Sequence, residues 1–420
     1  MSGSFRQKVI QVASGAALGQ GLVILSTPVL TRLYTTEQFG DWTLFTSTLG
    51  IVAAVSAWRL ESALPIPKDD EEAQTVLGLC LSVVLLNALL VALLLLLVGR
   101  GFATWLRDPG LYRYLWLLPV ALIGEGFTRV LMQWALRVGA FKEVARVRFT
   151  KAAAQVFLQV LCFKIGSFGL LVGDAAGRLS GCFRLGSVPW HAGIRPSQWR
   201  RKDMLAMLSR FRRFPLLGNA TTFVNVLNRM LPALLMARLF GRADVGLYGL
   251  AFRVMALPGL FLAEAMAQVF LSEFARINRE DPKALMAIFW ATIRRMMLLG
   301  LPAVGLIALL GPYAIRLVYG EAYAEAGVLL ALMAPMILLD IVSHCVGSSL
   351  DILERQDLTF IRELLRMILV LGGLAVAGVE HLGLRGTVAC LGIFGGLAYA
   401  TYAFFAWWAI RQRLRELEQP

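Results

Sequence analysis

The sequence predicts an all-α polytopic membrane protein, with about twelve transmembrane helices in two six-helix bundles related by a pseudo-twofold axis along the membrane normal. Three observations predict it. Hydrophobic residues make up 58% of the 420 positions and charged residues only 16%, with a mean hydropathy of +0.68. A water-soluble domain of this size cannot hide so much apolar surface. The apolar residues also fall in runs of about 20, the length a helix needs to cross a bilayer core. Finally, the stretch from Val29 to Asp70 is echoed in the second half. Arg32, Leu33, Tyr34, Gly40, Trp42 and Leu44 align, at one constant offset, with Arg238, Leu239, Phe240, Gly246, Tyr248 and Leu250.

Taken in order, the predicted spans of the first half are Val9–Leu33, Trp42–Pro65, Ala73–Val98, Leu115–Leu136, Phe149–Phe163 and Gly166–Leu185. Those of the second half are Phe214–Leu239, Gly246–Phe274, Met296–Val318, Gly327–Leu350, Phe360–Val379 and Leu384–Ile410. Arg6 and Lys8 precede an apolar segment that runs on to Leu33, so it reads as an uncleaved first span rather than a signal peptide. Pro302 and Pro312 predict kinks in the ninth span. The expected division is an N-terminal lobe over residues 1–190, a basic connector over 191–213 and a C-terminal lobe over 214–420. An even number of spans per lobe makes the repeats parallel, with a cavity between two bundles.

With the N-terminus in the cytoplasm and the spans alternating, most of the 41 Lys and Arg fall on cytoplasmic segments, the positive-inside pattern. Both termini are then cytoplasmic. The net charge of +14 is thereby explained by topology and contact with anionic lipid heads, and nucleic acid is not an expected partner. Its densest run is the connector from Arg195 to Arg213, and Trp407 and Trp408 followed by Arg411, Arg413 and Arg415 form an interfacial belt. The five cysteines lie in apolar stretches without metal-ligand or CxxC spacing and read as small hydrophobic fillers.

Arginine inside a span costs about 2.5–3.5 kcal/mol at the helix centre, and so marks either a pathway or a paired structural group. Arg59, Arg129, Arg178, Arg229 and Arg253 sit inside spans. Glu61 lies beside Arg59, while Glu125 and Asp174 stand one turn before Arg129 and Arg178, the favourable order for i, i+4 pairs. Such pairs either neutralise each other against a neighbouring helix or line a wet, cationic cavity. Guanidinium forks suit phosphate oxygens, so Arg59, Glu61, Arg129, Arg178, Arg229 and Arg253 are the candidate cavity residues for an anionic head group. Candidates for proton or sodium coupling are Glu125, Asp174, Glu264 and the i, i+4 pair Asp340 and His344. Gly169, Gly173, Gly177 and Gly181 form a ridge that predicts close helix packing in the sixth span. No catalytic residues, metal ligands or cofactor are expected, because no HExxH, GxSxG or P-loop pattern occurs and no loop is long enough for an extramembrane enzyme domain.

The blocks LTRLYTTEQFGDWTLF, WRLESALPIPKDDEEA, GLLVGDAAGRLSG, RRFPLLGNATTFVNVLNRMLPALLMARLFG and GLYGLAFRVMALP carry a resemblance to a known family. Over essentially its whole length the chain resembles the Wzx-like oligosaccharide (O-antigen/polysaccharide) flippases of the multidrug/oligosaccharidyl-lipid/polysaccharide exporter superfamily. The resemblance implies a protein of the bacterial inner membrane that passes an undecaprenyl-pyrophosphate-linked oligosaccharide from the cytoplasmic to the periplasmic leaflet. Alternating access, an H+ or Na+ gradient, and service to lipopolysaccharide, O-antigen or exopolysaccharide synthesis are implied with it. Its partners would be the lipid-linked oligosaccharide, membrane lipids, a polysaccharide polymerase and chain-length machinery. Three alternatives are weighed against this. A drug or cation antiporter of the same superfamily should favour an acidic cavity. A membrane polysaccharide polymerase or ligase should carry a sizeable outer loop, and a scaffold of the polysaccharide machinery needs neither.

Overall fold

In the computed structural model, residues 2–195, 199–212, 214–215, 219–258 and 264–418 are described. Among them the fold is all-α, with no strand. Contacts divide the chain into two compact units, the first made of Met1–Val226 with Ala233–Gly246 and the second of Leu227–Pro232 with Leu247–Pro420.

The first unit begins with α1 (Ser2–Leu33) and α2 (Thr36–Ala54). Thr35 starts α2 with a capping box. Its hydroxyl accepts from the Gln38 N–H, and Gln38 Oε1 accepts from the Thr35 N–H at 3.0 Å, so the TTEQ spacing satisfies two otherwise orphaned donors. After α2 come a 3-10 turn (Leu60–Ala63), α3 (Asp70–Trp105), α4 (Leu117–Arg137), α5 (Phe141–Leu161), α6 (Ser167–His191) and α7 (Arg201–Arg210). Most of α8 (Asn219–Leu239) and the first turn of α9 (Arg242–Pro258) complete it.

Lipid tails are as apolar as leucine, so helices in a bilayer associate through close van der Waals packing rather than by hiding apolar surface. The glycine ridge of α6 shows this. A Cβ on Gly173 would lie 2.9 Å from the Gln155 carbonyl oxygen, and one on Gly177 2.8 Å from that of Lys151, so α5 and α6 meet backbone to backbone. Gly15 and Gly19 of α1 approach Ala145 and Arg148 of α5 in the same manner. Tyr34 at the far end donates from its hydroxyl to the Gln159 carbonyl at 2.5 Å. A core of Leu60, Leu64, Leu77, Val84, Val130 and Leu185 fills the space beneath α3, α4 and α6.

The second unit takes the rest of α9, then α10 (Glu264–Glu280), α11 (Leu285–Tyr319), α12 (Ala324–Leu332), α13 (Ala334–Val346), α14 (Ser349–Ile352), α15 (Gln356–Val379) and α16 (Leu384–Glu418). Phe270, Phe274, Phe289, Val346, Ala406 and Ile410 form its buried core. Ser343 of α13 donates to the Tyr399 carbonyl of α16 at 2.7 Å.

Several expected spans differ in the structure. The second stops at Ala54 instead of running to Pro65 and continues as turns. The tenth is divided among α12, α13 and α14, the first division falling where Pro335, lacking an N–H, starts α13. The ninth is one helix from Leu285 to Tyr319 with Pro302 and Pro312 inside it. The basic connector contains a helix of its own, α7, with Trp199 laid over Gly78 of α3 and Arg210 paired with Glu72 at 2.9 Å. Among the described residues, four stretches are suited by length and composition alone to cross a membrane: Asp70–Trp105, Pro282–Tyr319, Ala334–Ile352 and Leu384–Leu417. Other helices, α4 and α6 among them, carry the charged groups considered next.

Candidate functional site

The interruption after α2 is the most unusual backbone in the first unit. Trp58 and Arg59 have φ of 52° and 56°, two successive non-glycine residues in the left-handed region, each costing about 1–2 kcal/mol. Unwound backbone at membrane depth persists only where its polar groups are satisfied inside the protein or face water. Here short backbone bonds, from the Ser56 N–H to the Ala53 carbonyl and from the Trp58 N–H to the Val55 carbonyl, both at 3.2 Å, are joined by side chains. Arg129 Nη1 of α4 donates to the Ala53 carbonyl at 3.0 Å. Asn87 Nδ2 of α3 donates to the carbonyls of Val55 at 3.2 Å and Ser56 at 2.8 Å. Arg59 leaves the break with Nη1 donating to Thr222 Oγ1 of α8 at 2.7 Å. Glu61, just beyond, is 7% exposed and its Oε2 has no hydrogen-bond partner. The structure thus gathers Arg59, Glu61 and Arg129 about one broken turn.

A second cluster in the same unit joins α4, α5 and α6. Arg178 Nε donates to Asp174 Oδ2 at 2.7 Å and Arg178 Nη1 to Glu125 Oε2 at 2.9 Å. Lys151 Nζ reaches the same Glu125 oxygen at 3.1 Å. The expected pair of Asp174 and Arg178 therefore forms, whereas Glu125 and Arg129 do not pair. One turn of helix places them near each other, but Lys151 and Arg178 from facing helices take the carboxylate, and Arg129 turns to the broken end of α2. This cluster balances charge between a buried Asp174 and the partly buried Glu125, Lys151 and Arg178.

A third group closes one end of the unit. Asp41 and Asp108, 2% and 4% exposed, lie 3.7 and 3.6 Å from Arg242 Nη1, and Ser167 donates to Asp41 Oδ2. Around it α2 and the first turn of α9 touch through backbone. A Cβ on Gly40 would lie 1.8 Å from the Arg242 carbonyl oxygen, and one on Gly246 2.0 Å from that of Thr36. The repeated glycines aligned in the sequence are thus where the two repeats' equivalent helices meet.

In the second unit, Glu363 of α15 is the centre. It accepts from the Tyr402 hydroxyl and lies 3.7 Å from Arg362 Nε and 3.8 Å from Arg366 Nη1. Arg366 also donates to the hydroxyls of Tyr399 at 2.8 Å and Tyr402 at 3.3 Å. Arg229 lines a neighbouring cavity of about 20 Å³ with Asn228, Tyr248, Arg366 and Tyr399, a volume that suits one water or small ion. Arg253 is half-buried in α9. Asp340 is half-buried and His344 exposed on α13. The side chain of Glu264 lies outside the described residues.

Sequence reading missed Asn87, Lys151, Thr222 and the group of Arg362, Glu363 and Arg366. The last three were detectable, since their charges fall within the expected eleventh span. So was Asn87, the one amide in the apolar run VVLLNALLVALLLLLV.

A family described as polysaccharide biosynthesis protein matches residues 29–327. The chain is 25% identical to lipopolysaccharide biosynthesis protein WzxC of Escherichia coli over 390 residues, covering 89% of this chain and 76% of that one. It is 27% identical to succinoglycan biosynthesis transport protein ExoT of Rhizobium meliloti over 322 residues, covering 75% and 62%. Among solved structures, it resembles an inward-facing multidrug resistance MATE family transporter of the MOP superfamily, with a TM-score of 0.79 at 15% identity over 98% of this chain and 99% of that one. It also resembles the lipid II flippase MurJ, with a TM-score of 0.73 at 15% identity over 95% and 87%. The chain shares the all-α fold of these two membrane proteins.

Proposed function

The chain belongs to the polysaccharide biosynthesis protein family, and from that membership we propose that it is a flippase for an undecaprenyl-pyrophosphate-linked oligosaccharide. The substrate moves from the cytoplasmic to the periplasmic leaflet of a bacterial inner membrane by alternating access, driven by an H+ or Na+ gradient. Both termini are cytoplasmic, and the product feeds a polymerase and its chain-length machinery.

The observation that carries this reading is Arg59. Its guanidinium stands on a broken helix, in a backbone conformation that costs energy, and strain of this kind is retained where a side chain must be presented. A guanidinium so placed matches a diphosphate by forked, charge-assisted hydrogen bonds. Arg178 pairs with Asp174 and Glu125 and is assigned to charge balance. We assign first contact with the head group to Arg59 and later contact to Arg229 and Arg253, which the second unit carries. Asp340 and His344 are the assigned coupling groups.

A drug or cation antiporter is the second reading, favoured by the likeness in fold to the multidrug transporter. A cationic drug has no use for Arg59 in a strained turn.

The test is transport of undecaprenyl-pyrophosphate-linked glycan in proteoliposomes with wild type and R59A. Loss of a charge-assisted contact to a phosphate is worth about 1.5–3 kcal/mol, so R59A should transport roughly 10- to 100-fold less efficiently. Undiminished transport by R59A, or export of a cationic dye in place of the glycan, overturns the proposal.

A further inference from the structure

We propose that Asn87 is a positioning residue of the head-group site: its amide clamps the unwound turn after α2 so that Arg59 is held in its presenting conformation. This rests on the reading of Arg59 given above and adds the group that holds it.

From Val83 to Val98 every residue but Asn87 is apolar, and an amide in such a run is unfavourable unless it is hydrogen-bonded. Asn87 finds its partners 31 and 32 residues back in the chain, at the carbonyls of Ser56 and Val55. Both carbonyls follow the last residue of α2, where the helical ladder has ended. The Val55 carbonyl also accepts from the Trp58 N–H at 3.2 Å, whereas the Ser56 carbonyl takes the shorter amide bond, at 2.8 Å, in place of the backbone donor that a continued helix would have supplied. Extending α2 would give the Ser56 carbonyl a backbone donor, return Trp58 and Arg59 to right-handed geometry and move the guanidinium away from Thr222; the amide bond removes that gain.

The neighbours leave the turn little other room. Ser56 is fully buried, and a Cβ on Gly126 of α4 would come within 3.4 Å of Ser56 Cβ and 2.6 Å of Val84 Cγ1 of α3. Arg129 Nη1 holds the preceding carbonyl, that of Ala53. The turn is thus pinned from α3 by Asn87 and from α4 by Arg129.

The test is binding of undecaprenyl pyrophosphate, and of undecaprenol as the head-less control, to the purified full chain and to N87A, R59A and N87A/R59A. N87A should weaken undecaprenyl pyrophosphate binding by about 10-fold, the value of one such contact, while undecaprenol binds N87A and wild type alike. The double variant should bind no more weakly than R59A, because the amide acts only through the arginine. N87Q, which keeps the donor on a longer arm, should recover part of the loss and serves in place of N87A should that variant not fold. Unchanged diphosphate binding by N87A, an equal loss for undecaprenol, or losses that multiply in the double variant would each overturn the inference. If R59A itself binds undecaprenyl pyrophosphate as wild type does, the flippase reading of Arg59 fails instead.

Discussion

Replacing Arg178 by leucine should destabilise the first unit far more than replacing Lys151 by methionine, although both side chains share one oxygen of Glu125. The difference lies in what each removal leaves behind. Without Lys151, Glu125 still has Arg178 at 2.9 Å. Without Arg178, Glu125 still has Lys151 at 3.1 Å, but Asp174 has lost the cation that both its oxygens contact. Its side chain is only 5% exposed, so water cannot replace the guanidinium. Stranding one member of a buried pair costs about 3–5 kcal/mol. The pair of Lys151 and Glu125, roughly a quarter exposed on each side, is worth nearer 1 kcal/mol. At about 2–4 °C per kcal/mol for a unit of this size, R178L should melt roughly 6 °C or more below wild type and K151M within a few degrees of it. The assay is thermal unfolding of the detergent-purified chain. The variant D174N/R178L, which removes the stranded charge, should recover much of the loss. If K151M proves as damaging as R178L, or D174N brings no recovery, Arg178 does not neutralise Asp174 and the structural account of this cluster fails.

Two further outcomes are expected, one at a close helix contact and one at the assigned coupling groups. G40A places a methyl group against the Arg242 carbonyl, and since backbone cannot rotate away, overpacking of about 1–3 kcal/mol or more should lower the melting temperature; an unaltered melt refutes the close approach. D340N and H344Q should change how transport depends on external pH or sodium, and a profile identical to wild type removes both as coupling groups.

Sequence pattern revealed those features that arise within one helix. The ridge of Gly169, Gly173, Gly177 and Gly181 repeats at the helical period, and it packs on α5 as that period requires. Asp174 and Arg178 are one turn apart and pair. The same reasoning failed for Glu125 and Arg129, equally one turn apart, because helix spacing brings two groups within reach without deciding whether a third helix offers something better. Lys151, 26 residues along the chain, does. The end of α2 at Ala54 was hidden for a related reason. Val55 to Pro65 is apolar enough to continue a span, and the break depends on donors from Asn87 and Arg129 that no local window contains.

The distinction between those two failures bears on how charge inside this membrane protein should be read. An arginine within a span is costly wherever it lies, so its presence alone does not separate architecture from function; its partners do. Arg178 and Arg366 each meet a buried carboxylate, and removing either would be felt first as lost stability. Arg129 spends its hydrogen bond on a main-chain carbonyl at the broken end of α2, which makes it a support for the turn. Arg59 meets the Thr222 hydroxyl from a strained backbone, an arrangement that adds cost. Structure that merely had to be stable would have extended α2 by one turn and avoided that cost. The strained turn persists, held by an amide and a guanidinium from two other helices, and the group it presents is the one whose chemistry suits a diphosphate.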